Sequence, residues 1–209
     1  GQFVSSDQNI RALQQSSMAW GDVDDDGDLD LAISGQNRSG DAQTLYYVNN
    51  RGALELDTEA SLPAIRSGDV AWADYDSDGD LDLALTGEDT FDNRRASLYA
   101  FEQGAFSLIG SFPSVSESSL DWGDYDNDGD VDIAIIGQSD DVLNGRQQSY
   151  SRVFANDGEG GFATVEFELM GLNNGEVIWG DYDGDGDLDL TLGGQSADSS
   201  ELLLYVNDE

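Results

Sequence analysis

Apolar and polar residues alternate along this chain in short runs with a period of two. Leu29, Leu31 and Ile33 alternate with Asp30, Ala32 and Ser34, and the same beat returns at Leu81 to Leu85, Val131 to Ile135 and Leu188 to Leu192. Such a pattern predicts β-strands with one face turned to a core. Each run follows a cluster of aspartates, and each cluster follows an apolar segment ending in tryptophan: "SSMAW", "GDVAW", "SSLDW" and "GEVIW". A glycine closes each run, at Gly35, Gly87, Gly137 and Gly194. Beyond a polar loop of variable length comes another apolar segment ("TLYYVN", "SLYAF", "YSRVFAN", "LLLYVN"), and then a turn leading to "GAL", "GAF" or "GGF".

The spacing makes this a repeat. The first aspartates of the clusters are Asp22, Asp74, Asp124 and Asp181, a period of about fifty residues, which suits propeller blades and similar arrays. With only two prolines and no sustained 3.6-residue apolar period, the expected class is all-β. The predicted architecture is a β-propeller of four-stranded blades, four blades in one domain spanning residues 1–209. The chain opens on "GQF", which reads as the start of a fourth strand, and closes on "LLLYVNDE", which reads as a third. An N-terminal strand completing the last blade is therefore expected, and it would remove that blade's open edge.

Composition narrows the chemistry. There are 44 acidic and 8 basic residues, a formal charge of −36, and histidine and cysteine are absent. Disulfides, thiolate nucleophiles and Cys/His zinc sites are thereby excluded, as is the commonest general base. So acidic a chain is expected to avoid nucleic acid and anionic membranes. No apolar run reaches the length of a membrane span, and Gly1 begins without the basic start and apolar core of a signal peptide, as expected of a mature protein or an excised domain.

The clusters themselves carry the strongest chemical signal. Counted from Asp22, aspartates stand at positions one, three, five, seven and nine, with glycine at six. Carboxylates at one, three and five of such a turn can converge, position seven can offer its backbone carbonyl, and glycine permits the bend. That many hard oxygen donors suits Ca²⁺ better than Mg²⁺, which demands strict octahedral geometry. An EF-hand would need a glutamate at position twelve and flanking helices. Here position twelve is Ile33, Leu85, Ile135 or Leu192, so the aspartate at nine is expected to close the site.

These four loops resemble those of FG-GAP and VCBS-type repeats, including the calcium-binding blades of the integrin α-subunit propeller. The resemblance rests on the Asp-x-Asp/Asn-x-Asp/Asn-Gly-x-x-Asp pattern in "WGDVDDDGDLDLAISG", "WADYDSDGDLDLALTG", "WGDYDNDGDVDIAIIG" and "WGDYDGDGDLDLTLGG". It implies one Ca²⁺ per loop, four in all. The ligands it implies are Asp22, Asp24, Asp26, Asp28 and Asp30; Asp74, Asp76, Asp78, Asp80 and Asp82; Asp124, Asp126, Asp128, Asp130 and Asp132; and Asp181, Asp183, Asp185, Asp187 and Asp189. The Gly-Ala-Pro of the family name is missing, replaced by "SGQ", "TGE", "IGQ" and "GGQ", and the family's propellers commonly have seven blades.

With several protein ligands per ion, the expected metal is structural. Function then moves to the opposite face, where Arg38, Arg94, Arg95 and Arg146 mark a candidate partner face for a protein or an acidic glycan. Arg11 and Arg66 fall near the same face, though arginines excluded from crowded acidic loops would gather there anyway. The tryptophans read as packing between blades. The expected function is a non-catalytic, calcium-stabilised adhesion or recognition module, extracellular or on a bacterial cell surface. It would work as a monomer or as a homodimer completing a larger propeller. The alternatives are a lyase-like enzyme acting on polysaccharides and a purely architectural module.

Overall fold

A computed structural model describes residues 2–208. Those residues hold strands and turns, and none of them is in a helix long and apolar enough to cross a membrane. Fourteen strands form three sheets. The first is the meander β1 (Gln14–Gly21), β2 (Asp30–Gln36), β3 (Ala42–Asn50) and β4 (Ala53–Asp57). The second runs through β5 (Val70–Ala73), β6 (Asp82–Glu88), β7 (Arg94–Glu102), β8 (Ala105–Gly123), β9 (Asp132–Leu143), β10 (Arg146–Asn156) and β11 (Phe162–Thr164). The third is β12 (Asn173–Gly180), β13 (Asp189–Gln195) and β14 (Ser200–Tyr205). All pairings are antiparallel.

The seven-stranded sheet is two repeats joined through β8. Its first half pairs with β7 and its second half with β9, with a register break between Ser116 and Ser119 where Glu117 takes φ 47°. Cut there, the chain divides into four meanders with the fifty-residue period read from the sequence. Each inner strand breaks at the same place, with Gln15, Ser67, Glu117 and Asn174 all in the left-handed region at φ 47–51°. The four sites line one shared pocket, so the units stand around a common axis. Between units, the Ser67 N–H donates to the Gln15 carbonyl at 3.3 Å and the Glu117 N–H to the Ser67 carbonyl at 2.6 Å.

The second strand of each unit is buried on both faces. Leu31 and Ile33 are buried, but so are Ala32 and Ser34; Leu83 and Leu85 are flanked likewise by Ala84 and Thr86. The alternation marks the larger residues of one face, while small residues on the other let the neighbouring unit approach. Three apolar clusters fill the seams: Val23, Tyr46, Leu83 and Phe106 between the first two units, Tyr75, Leu98, Ile133 and Phe154 in the next, and Ala134, Val153, Leu190 and Leu192 in the last.

One expectation needs correction. The N-terminal strand does not complete the last unit: residues 2–13 form no strand, and Phe3 and Val4 stand fully in solvent. The segment lies instead along the first unit, where Gln8 Nε2 donates to the Gly52 carbonyl at 2.8 Å and Gln8 Oε1 accepts from the Leu54 N–H at 2.9 Å. Among the described residues no strand pairs with the outer edge of β14, and the sheets do not close into a ring.

Candidate metal centres

Each acidic loop joins the first and second strands of its unit and adopts the same turn. Gly27, Gly79, Gly129 and Gly186 at position six have φ of 90–104°, a region that glycine enters without steric cost. Position four is left-handed too, at Asp25, Ser77, Asn127 and Gly184. The first carboxylate organises the bend by accepting backbone N–H groups. Asp74 Oδ1 takes that of Asp78 at 3.0 Å and its Oδ2 that of Gly79 at 3.1 Å. Asp22 and Asp124 repeat this arrangement, and Asp181 takes the N–H groups of Gly184 and Gly186. The carboxylate at five accepts from the N–H at seven, as Asp26 does from Asp28 at 2.9 Å.

These turns bring carboxylate oxygens together in four groups, all within 4.8 Å: Asp22, Asp24 and Asp26; Asp74, Asp76 and Asp78; Asp124, Asp126 and Asp132; Asp181, Asp183 and Asp189. Each group can hold a metal ion. The third and fourth groups use the aspartate at nine, where the first two use the aspartate at five. Asp28, Asp80, Asp130 and Asp187 at position seven contribute no carboxylate to these groups; Asp28 Oδ2 accepts from the Arg51 N–H at 2.9 Å. One atom bears directly on whether a cation fits. Asp76 Oδ1 is buried and meets no donor in the protein, a costly state for a carboxylate oxygen that a cation would relieve.

The aspartate at nine has a second task. Asp30, Asp82, Asp132 and Asp189 are buried at the start of the second strand. Asp132 Oδ1 accepts from the Asn156 N–H at 2.8 Å and Oδ2 from the Tyr125 N–H at 2.9 Å, tying the third strand to the loop. Asp189 does the same with Asn207 and Tyr182, and Asp82 with Phe101 and Tyr75. Asp30 accepts from the Asn49 N–H and from the Tyr46 hydroxyl.

The asparagines at the end of the third strand tie the loops together, a role that the sequence reading passed over. Asn156 Nδ2 donates to Val131 O of its own loop at 3.2 Å and to Tyr75 O of the preceding loop at 2.6 Å. Asn207 Nδ2 reaches Tyr125 O at 2.7 Å. The signal lay in the "VN", "AN" and "VN" endings of three units, with Phe101 in the second.

Crowded carboxylates shift one another's titration. Burial, reinforced by the charges of Asp76 and Asp78 against two backbone N–H bonds, pushes Asp82 up to about 7. Burial with Asp126 and Asp128 pushes Asp132 up to about 6. Asp24 and Asp126 are raised by the same causes. A carboxyl whose folded pKa lies above its unfolded value binds protons that the unfolded chain releases. In the metal-free chain these groups therefore lower stability as pH climbs from about 4 to about 7. The metal-free protein is expected to melt at a higher temperature near pH 5 than near pH 8, and saturating Ca²⁺ should shrink that difference. Calorimetry in chelator showing a higher melt near pH 8 would contradict the account.

The turns joining second and third strands lie at the opposite end of the meanders, and the candidate arginines are there. They do not form one free surface. Arg94 is nearly buried, its guanidinium spent on Ser116, Asp140 and Gln147, and Arg66 is held by Gln36, Glu88 and Asp92. Arg95 lies 3.6 Å from Asp89, whereas Arg38 and Arg146 are exposed. The third and fourth units also border a polar cleft of about 700 Å³ at this end, lined by Gln138, Asn144, Arg146, Gln147, Asn173 and Gln195 among others.

No curated protein matches this sequence. Among solved structures, two crystal structures of the exo-β-1,3-galactanase of Phanerochaete chrysosporium are similar in fold. The one with β-1,3-galactotriose has a TM-score of 0.53 and the one with galactose 0.50, both at 11% identity over 90% of this chain. This chain spans 45% of that enzyme's length. Residues 22–85 match the model of the FG-GAP-like repeat, a stretch running from the first Asp of one loop into the second strand of the next unit. Residues 22–85 are thus similar to an FG-GAP-like repeat, and the loops at 124–132 and 181–189 repeat the turn of the loops at 22–30 and 74–82.

Proposed function

We propose that this protein is a calcium-stabilised module of propeller type, its four units each clipped by one Ca²⁺, and that it recognises its ligand on the face away from the ions. The observation that carries the metal is the orphaned Asp76 Oδ1 inside a loop whose carboxylate cluster recurs in all four units. Ca²⁺ is the ion of choice because the donors are all oxygen and several per site. Its role is structural: the loops anchor the third strand and the neighbouring unit, and none of their carboxylates lines the amide-rich cleft. Equilibrium dialysis of the metal-free protein should return about four Ca²⁺ per chain, weakened selectively by Asp76→Asn. A chain that takes up one ion or none would sink this reading.

The ligand face is the amide-rich cleft around Gln138, Gln147, Asn173 and Gln195. Uncharged amides in that number suit hydroxyl-rich ligands, so a glycan is the preferred class, and exposed Arg146 allows an acidic one. The fold likeness to a galactan-cleaving enzyme favours a second reading, in which the protein itself acts on polysaccharide. Two carboxylates, Glu117 and Asp198, border the cleft. Incubation with β-galactan and acidic polysaccharides separates the two: binding without release of sugar supports recognition, and release of sugar supports the enzyme. An extracellular setting, where Ca²⁺ is plentiful, fits either.

A further inference from the structure

In the last three units the buried aspartate at position nine accepts two backbone N–H groups, and these bonds join one loop to the next. Asp82 Oδ2 accepts from the Tyr75 N–H at 3.4 Å. The Tyr75 carbonyl accepts from Asn156 Nδ2 at 2.6 Å, and the Asn156 N–H donates to Asp132 Oδ1 at 2.8 Å. Asp132 Oδ2 takes the Tyr125 N–H at 2.9 Å, the Tyr125 carbonyl takes Asn207 Nδ2 at 2.7 Å, and the Asn207 N–H donates to Asp189 Oδ1 at 2.9 Å. The run ends where Asp189 Oδ2 accepts from the Tyr182 N–H at 2.8 Å. An unbroken line of hydrogen bonds thus passes through the loops of the second, third and fourth units.

That line touches the candidate metal ligands directly. Asp132 and Asp189 belong to the ligand groups of their loops, and Tyr75 and Tyr125 each stand between two members of theirs. A second tie joins the third loop to the fourth, where Asn127 Nδ2 donates to Asp187 Oδ1 at 2.7 Å. The first unit is built differently. Asp30 takes its second bond from the Tyr46 hydroxyl, and Asn49 Nδ2 reaches Leu29 O of its own loop. Phe101 stands where the asparagine of the second unit would be and has no amide to offer the first loop. Val23, the counterpart of Tyr75 and Tyr125, is buried with Tyr46 and Phe101 in an apolar cluster.

Without an ion the carboxylates of a loop repel one another, and the loop is loosely held. An ion that gathers one loop fixes the peptide or carboxylate to which the next loop is bonded. Part of the neighbour's ordering is then already done when its own ion arrives, which is positive cooperativity, and the effect is reciprocal.

We propose that the second, third and fourth sites take up Ca²⁺ as one cooperative set, with Asn156 and Asn207 as the positioning residues that link them, and that the first site fills on its own. This rests on the calcium reading of the loops and adds to it an order of filling. Three units then stiffen together over a narrow range of Ca²⁺, while the first responds separately.

The test is a Ca²⁺ titration of the full chain labelled with ¹⁵N-glycine, with calorimetry counting the ions. The N–H groups of Gly27, Gly79, Gly129 and Gly186 each donate to the first aspartate of their own loop, so each resonance reports one site. Gly79, Gly129 and Gly186 should move together along a curve steeper than single-site binding, and Gly27 along a single-site curve. Asp183→Asn, which disables the fourth site, should weaken Ca²⁺ at Gly129 by about 5–10-fold, weaken it at Gly79 as well, and leave Gly27 unmoved. The direction is diagnostic: an empty acidic loop is more negative than a loaded one, so charge alone would tighten its neighbours.

Asn156→Ala should detach Gly79 from the other two, and Asn207→Ala combined with Asn127→Gly should detach Gly186, with all twenty loop aspartates retained. Asn127→Gly keeps a left-handed backbone that Gly184 already adopts at the same position. Should Asn156→Ala lose the fold, the Asn127–Asn207 pair and Asp183→Asn still decide. Four ions per chain with Gly79 and Gly129 indifferent to Asp183→Asn overturn the coupling and leave the calcium reading standing. Shared, steep curves that persist in the asparagine variants overturn the route, and a Gly27 that responds like the others overturns the separate first site. No ion at the last three loops overturns both this proposal and the calcium reading.

Discussion

Chelating Ca²⁺ is expected to lower the melting temperature by roughly 10–20 °C, the larger of the two strongest effects. At a calcium concentration about ten times the dissociation constant, linkage contributes about 1.4 kcal/mol per site and about 5–6 kcal/mol for four. In a chain of this size each kcal/mol moves the melt by about 2–4 °C. The loss is not confined to the loops. Asp132 and Asp189 hold the third strands of their units, and Asn156 and Asn207 tie each loop to the next unit through Tyr75 and Tyr125 carbonyls. A loop that opens under carboxylate repulsion therefore loosens a seam as well. The melt should be recorded with and without chelator at pH near 7.5, then again after Ca²⁺ is restored. Equal melting temperatures in the three samples would remove the structural role from the loops, and a drop not reversed by Ca²⁺ would assign it to another ion.

Much of the fold was legible because the period is carried by residues with narrow physical roles. The Trp before each cluster, the glycine at six and the two-residue alternation fixed the four units and their strands. The second face of β2, β6 and β9 was less visible: Ala32, Ala84 and Ala134 are buried, but small residues do not announce a face. The left-handed position four was readable in hindsight, since Asp25, Ser77, Asn127 and Gly184 include types that tolerate such a backbone. Ring closure was not legible. Strand-like sequence at residues 2–6 says which register it can adopt, but pairing depends on whether the first and last units meet, and no local pattern encodes that. The surroundings of the arginines were not legible for a related reason. Arg94 and Arg66 sit among polar partners brought from separate strands, Asp140 and Glu88 among them, and a lone arginine in a loop gives no sign of such company.

Removing a tryptophan at a filled seam should cost far more than removing its counterpart at an open one. Trp72 packs on Tyr46 and Phe106, covers Gly21, and donates its indole N–H to the Ala19 carbonyl at 3.2 Å. Trp72→Ala leaves a cavity between two units and an unpaired carbonyl, so a loss of about 3–5 kcal/mol is expected. Trp20→Ala removes a ring with no unit behind it and should cost the single chain less than about 1 kcal/mol. The glycine partners invert the experiment. Gly21→Ala drives a Cβ toward Leu81 and Trp72 and should cost about 1–3 kcal/mol by overpacking, whereas Gly180→Ala meets open space. Denaturant unfolding of the four variants in Ca²⁺ reads all four values. The two substitutions at the first seam should separate cleanly from the two at the chain's open ends. Equal losses for Trp72→Ala and Trp20→Ala in dilute protein would mean that Trp20 is covered in solution, and that the first and last units meet within one chain. The size of that single difference thus reports whether four units make a ring or an arc.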